Sequence, residues 1–292
     1  MRVIADIVGR NLRIYFRDRL GVFFSLLGAL VLFLLYMLFL RTLQTGDLAN
    51  SFPAASSASV SAFVDTWMFA GIISITTITT GLGAFSSFVD DAVTARFRDF
   101  LVSPIRRSQL SLGYLISSFV IAMTMSIIVL VLSLAYLFFV DGLLLGVATI
   151  AIVVGEIALS CLAFAALSAF GISFVRTQGA FAALSTIVGT VLGFIAGAYV
   201  PVGAFPEGVR NVINALPFGQ LATLIRQQLS EGTLAKLTAG QPQATERLSA
   251  VYGITASVGD WQVPTAYVLA VLAAMAVVFT ALAAARIRSR LR

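Results

Sequence analysis

Six apolar segments, at about residues 21–40, 62–89, 110–140, 143–175, 179–200 and 263–285, constrain this chain more than any other feature. Each reaches the roughly 20 residues that a helix rising about 1.5 Å per residue needs to cross the hydrocarbon of a bilayer. Backbone polar groups in hydrocarbon must be satisfied within the protein, and none of the segments alternates polar with apolar residues, so helices are predicted and a lipid-facing barrel is not. Composition agrees. Hydrophobic residues make up 59% of the 292, charged residues 11%, and the mean hydropathy is +0.99, a balance that a water-exposed surface does not tolerate. The expected fold is an all-α integral membrane protein with six transmembrane helices, organised as one transmembrane domain over 1–292. The first apolar run is too long for the core of a signal peptide and lacks a small-residue cleavage pattern after it, so it is expected to stay as the first span.

Charge sets the orientation. With both termini cytoplasmic, the inner segments hold 14 of the 19 Lys and Arg and the outer segments hold Arg41, Arg210, Arg226, Lys236 and Arg247, the other five. The positive-inside rule favours that arrangement. Topology and anionic membrane lipid then account for the basic pI, and no nucleic-acid partner is needed.

Residues 1–19 read as an amphipathic helix with Arg2, Asp6, Arg13 and Arg17 on one face and Ile4, Ile7, Val8 and Tyr15 opposite, which suits an inner interfacial position. Span two contains Thr76, Thr77, Thr79 and Thr80, whose hydroxyls suit either helix packing or a polar translocation surface. Span four carries Glu156, the one acidic residue that this map places deep in hydrocarbon, and Cys161, which reads as a small core residue. Gly189, Gly193 and Gly197 repeat every four residues in span five and predict a smooth stripe for close helix approach. Beyond it, 201–262 is expected outside the membrane. Val209, Val212, Ile213 and Leu216 share a helical face, as do Leu221, Leu224, Ile225 and Leu229, which predicts two short helices re-entering the outer leaflet, followed by a mobile loop over 230–262.

The absence of histidine removes Ser-His-Asp and Cys-His catalysis and His-ligated metal or haem sites. Lys236, the only lysine, is not in a Walker A loop, so ATP would have to be hydrolysed by another chain. No catalytic, metal or cofactor-binding residue is predicted.

Charge is nevertheless concentrated in "FVDDAVTARFRDFLVSPIRRSQL", residues 88–110, inside the cytoplasmic loop 90–109. Val93, Phe97, Phe100 and Leu101 fall on one helical face while Asp91, Thr94 and Arg98 fall on another. Ser103-Pro104 ends that helix, Arg106 and Arg107 mark re-entry, and Ser108 is the expected N-cap. A connector could be a few residues long. A charge-dense amphipathic helix instead predicts a surface that a soluble partner grips.

The run "RDFLVSPIRRSQLSLGYLISS" resembles the cytoplasmic loop of type-two ABC exporter permeases, where a coupling helix precedes a Ser/Thr-Pro turn, basic residues and an "LGK" or "LGY" entry into span three. The opening "RNLRIYFRDRLGVFFSLLGALVLFLLYMLFL" and the later "LPFGQLATLIRQQL" are similar to that family too, in the same order. Asp90-Asp91-Ala92-Val93-Thr94-Ala95-Arg96 departs from a common Glu-x-x-x-Gly-Thr pattern. The resemblance implies a permease that pairs as a homodimer or with a related chain and binds separate ABC ATPase subunits, which hold ATP and Mg. It also implies a coupling helix in which Arg96, Arg98 and Asp99 make polar contacts and Val93, Phe97 and Phe100 anchor. The cargo path would run between spans two and five of facing subunits, with Thr76, Thr77, Thr80 and Glu156 as the candidate path residues. An apolar, hydroxyl-rich lining favours a drug, lipid or lipopeptide, and a bacterial cytoplasmic membrane is the implied setting. The alternatives are a proton- or ion-coupled secondary transporter using Glu156, and a non-transporting scaffold or sensor.

Overall fold

The computed structural model describes residues 2–94 and 105–290, with side chains through Arg286. Helix α1 (Arg2–Arg17) ends at Asp18, whose carboxylate accepts from the Gly21 amide at 2.9 Å and caps α2 (Arg19–Leu35). A π-helical turn over Tyr36–Leu40 joins α2 to α3 (Arg41–Ser51) without a break, so the first span runs from Arg19 to Ser51. It passes the expected boundary at residue 40 because α3 is a polar continuation that hydropathy does not register. Ser56 caps α4 (Ser57–Gly83), and a turn at Ala84 and Phe85 separates it from α5 (Ser86–Val93).

α6 (Arg107–Asp141) starts at an Arg106 cap rather than at Ser108, because the Gln109 side chain accepts from the Arg106 amide at 3.0 Å. Gly142, at φ 64°, ends it. Next come α7 (Val147–Ile172) and α8 (Gln178–Ile195), the latter capped by Thr177. A 3₁₀ turn (Val202–Ala204), α9 (Glu207–Ala215), α10 (Pro217–Leu237) and α11 (Pro242–Val251) follow; proline opens both α10 and α11, where its missing N–H costs nothing. The short strands β1 (Ser257–Val258) and β2 (Trp261–Gln262) pair antiparallel before α12 (Thr265–Arg290).

Six stretches are long and apolar enough to cross a membrane: Arg19–Ser51, Ser57–Val93, Arg107–Asp141, Val147–Ile172, Gln178–Ile195 and Thr265–Arg286. The protein is an all-α integral membrane protein. Successive spans alternate in direction, which gives the bundle a basal end, where α1, α5 and the start of α6 meet, and a distal end, where α3, α9, α10 and α11 gather. α4 is the central helix, buried over 89% of its apolar window and packed on α6, α7 and α10. By contrast α2 and α8 bury only 11% and 17% of theirs. Their exposed Phe24, Leu34, Ile187 and Val191 form a surface compatible with hydrocarbon.

α1 docks on α6. Ile7 is buried against Gly113, where an added Cβ would lie 2.6 Å from its side chain, and Asn11 donates to Ser117 Oγ at 3.1 Å. The glycine of the "LGY" run is thus the groove that admits the amphipathic helix.

Two expectations change. The second re-entrant helix is long, 21 residues rather than a short dip, because its polar residues Gln220, Thr223, Arg226, Ser230 and Thr233 are buried against protein instead of facing lipid. Phe218 stacks on Phe164 at 5.2 Å, seventeen residues into α7, and Thr233 pairs with Thr66 near the start of α4, so α10 rises antiparallel to both. The stretch 230–262 is not a loose loop. Tyr252 packs edge-on against Phe63 and Trp67 with centroids at 5.1 and 5.4 Å, its carbonyl accepts from the Trp67 indole at 2.9 Å, and its hydroxyl donates to Gln44 at 2.8 Å.

Candidate coupling and translocation site

The helix expected over 91–101 falls largely outside the described residues: Arg96, Phe97, Arg98, Asp99 and Phe100 all do. Val93, the last residue of α5, is 50% exposed. What is described is the base from which that segment springs. Asp91 is 1% exposed and accepts from both terminal nitrogens of Arg10, at 2.8 Å each, and from the Tyr114 hydroxyl at 2.5 Å. This bidentate, charge-assisted arrangement ties α1, α5 and α6 together. The Asp91 carboxylate raises the Arg10 guanidinium above its ordinary range, against the opposing effect of burial. One residue earlier, Asp90 accepts from the Gln178 side chain at the first turn of α8. Two adjacent aspartates therefore link the end of α5 to spans three and five.

A second ion pair sits at the distal end. Arg41 grips both oxygens of the fully buried Asp65, with Nε–Oδ1 and Nη2–Oδ2 distances of 3.0 Å, and the Tyr36 hydroxyl reaches Oδ1 at 3.4 Å. The π turn makes this meeting possible. Its i→i+5 geometry sets Tyr36 and Arg41, five apart, on one side, whereas an α-helix would turn them away from each other. Asp65 lies inside the second apolar segment, near its distal start, so Glu156 is not the only acidic residue within the spans. Its signal was present in sequence, as a basic residue at the end of one span facing an acidic one at the start of the next.

Glu156 is 5% exposed on α7 and its carboxyl faces Gln228 of α10. Thr76, Thr77 and Thr80 are buried on α4, and each hydroxyl donates to its own helix: Thr76 to Ile72, Thr77 to Ser74 and Thr80 to Thr76, at 2.6–2.8 Å. Their hydroxyls are satisfied locally, and the less buried Thr79 and Gly83 mark the open side of α4. The glycines expected to form one stripe take three different roles. Gly189 faces open space on α8; a side chain at Gly193 would strike Tyr199 of the same chain; and Gly197 lies past the helix end at φ 61°, where a left-handed turn is needed. Cys161 is a buried core residue, as its size suggests.

At the distal end, Arg226 is 1% exposed between the Trp67 ring and the carbonyls that end α8. It stands in the "LPFGQLATLIR" run, and the sequence showed it only as one of the five basic residues of the outer segments. Near it, burial pushes the Tyr252 phenol up to about 12.

No curated protein matches the chain closely enough to count as a relative. A family model described as ABC-2 family transporter protein matches residues 49–285, which covers spans two to six and the end of span one. With that match over four-fifths of its length, the chain belongs to the ABC-2 family of transporter permeases, the membrane subunits of ABC transporters.

Proposed function

We propose that the chain is the permease of an ATP-driven exporter, paired with a second copy or a related permease, that moves a hydrophobic or amphipathic cargo out of the cytoplasm or inner leaflet. ATP and its magnesium ion would sit on separate ATPase subunits docked against the basal end. Both termini would be cytoplasmic in a bacterial plasma membrane. The charge count supports this orientation, and more strongly once Arg226 is set aside as a buried residue, leaving 14 basic residues on one side and four on the other.

The observation that carries the reading is the anchoring of α5. Asp91 and Asp90 connect it to α1, α6 and α8 immediately before the segment that resembles a coupling helix. A push on that segment would reach three elements at once and repack them as bodies, the kind of switch that bistable interfaces allow. Cargo chemistry follows from α8, whose exposed face offers Ala182, Ala183, Thr186, Ile187, Thr190, Val191 and Phe194 and no charge. A path lined by that face and the open side of α4, between spans two and five of facing subunits, suits apolar molecules with a few hydrogen-bonding groups.

The test is purification of the complex with its ATPase subunit. Replacing Phe97 and Phe100 by Ala should leave assembly intact and cut cargo-stimulated ATPase activity and export by at least about tenfold, a loss of about 1.4 kcal/mol of coupling. Export that persists unchanged with both alanines in place overturns the coupling assignment.

A further inference from the structure

Among the described residues, Arg226 has no counter-ion. The ion pairs among the described residues join Arg10 to Asp91 and Arg41 to Asp65, and neither involves Arg226. Its Nη2 instead donates to the carbonyls of Ala196 and Gly197, at 2.5 and 2.9 Å, its guanidinium carbon lies 5.5 Å from the centroid of the Trp67 ring, and its Nε has no hydrogen-bond partner. A cation taken out of water needs compensating partners. Here they are the negative end of the α8 dipole, expressed in its last carbonyls, and the face of an indole.

Glycines make room for it. A Cβ at Gly253 would lie 3.0 Å from Nη1, and one at Gly197 3.1 and 3.2 Å from the two terminal nitrogens. Both glycines have positive φ, 66° and 61°. A Cβ at Gly71 of α4 would meet the Ala198 Cβ at 2.9 Å, so this glycine lets the chain leaving α8 press against α4. Four segments, α4, the end of α8, α10 and the turn after α11, therefore converge on one guanidinium.

The two ends of α8 are fastened differently. Its basal polar contact is the exposed Gln178–Asp90 pair, which water can replace, beside the apolar packing of Phe181 in the cluster around Phe85 and Phe88, which carries no charge. Its distal contact is the buried guanidinium, and breaking that would strand a cation and two helix-end carbonyls together.

We infer that Arg226 is a positioning residue that clamps the distal end of α8 to α4 and α10, making that end a fixed pivot about which the basal end of span five swings during transport. The inference rests on the reading of α8 as a path-lining helix driven from the basal side.

Spin labels test it in the assembled complex with its ATPase, on a Cys161→Ala background that removes the only native thiol. One pair, Ala180→Cys with Leu112→Cys, reports the basal end of α8 against α6. The other, Phe194→Cys with Leu132→Cys, reports its distal end against the same helix. Between nucleotide-free and vanadate-trapped states the basal distance should change and the distal distance should not. In Arg226→Met the distal distance should change as well and cargo-stimulated ATPase should fall about tenfold, while Arg226→Lys should recover part of both. A distal change in the wild-type protein as large as the basal one overturns the pivot, and so does a complex that hydrolyses ATP with neither distance changing. Failure to isolate any ATPase with the chain would instead remove the exporter reading on which the pivot depends. If Arg226→Met does not assemble, the wild-type distances alone decide.

Discussion

Asp91 illustrates how one residue can organise the basal end. Its carboxylate is almost completely buried, so its charge depends on protein donors, Arg10 and Tyr114 among them, rather than on water. Replacing Arg10 by Ala takes the bidentate guanidinium away from that buried charge. Because Arg10 itself is 30% exposed, the cost should fall at the lower end of the range for breaking a buried pair, about 3 kcal/mol. Adding Asp91→Asn to Arg10→Ala should recover more than half of it, and thermal unfolding of the four members of the cycle in detergent measures both. The pH dependence has a definite sign. A guanidinium whose folded-state pKa is raised contributes its stability below its unfolded value and loses it as pH rises through the raised one. The Arg10–Asp91 contribution should therefore stay constant from about pH 6 to about pH 9, and a marked loss across that window would contradict the assignment. At this scale sequence shows the charges and not their partners. Arg10 and Asp91 are 81 positions apart and meet only because Gly113 admits α1 against α6. Arg226 was harder to interpret still, since a fully buried arginine and a lipid-avoiding one look the same in a hydropathy average.

Among the elements, the spans were legible because hydrocarbon imposes one length and one chemistry on all of them. The distal elements follow other rules. Residues 230–262 look like loop because Thr, Ala, Gln and Gly dominate them, yet α10 runs on to Leu237, a proline starts α11, and Tyr252 fastens the following turn to Trp67. A single aromatic residue beside a glycine carried the signal. The π turn was invisible for a different reason: it depends on a tertiary reward, the joint grip of Tyr36 and Arg41 on Asp65, and not on local propensity. It can be tested by lengthening. One alanine inserted after Leu38 would set Tyr36 and Arg41 six positions apart and rotate α3 relative to α2 by about 100°, the angle of one helical residue. Arg41 would then leave the buried Asp65 carboxylate without its guanidinium, at a cost of about 3–5 kcal/mol. Thermal unfolding should show this loss, and Asp65→Asn should relieve much of it in the insertion variant. Deleting Leu38 instead sets the two residues four apart, on one face of an α-helix, and should keep the pair. Equal stability of the insertion variant and the parent would show that the turn does not serve the pair.

For the whole molecule, α4 is the buried helix on which the others pack, and on the proposed reading the thinly packed α8 is the one that moves. Span two is bonded at both ends, to Arg41 distally and, through α5, to Arg10 and Tyr114 basally, so spans one to three form a braced unit. The family of the chain was legible in sequence because it is carried by the order of short runs along the whole chain; which helix is central was not, since hydropathy rates α4 and α8 alike while their burial differs fivefold. Every directional statement about transport depends on which end faces the cytoplasm, and the chain contains a convenient reporter. Lys236 is its only lysine, and it is exposed near the distal end of α10 beside Ser59 and Asp141. An amine-reactive reagent that cannot cross membranes should label it in intact cells or spheroplasts, and Lys236→Arg should abolish that labelling. Labelling that requires lysis would place the distal end in the cytoplasm. The charge-dense loop would then face outward, away from any ATP, and the exporter reading would fail together with its orientation.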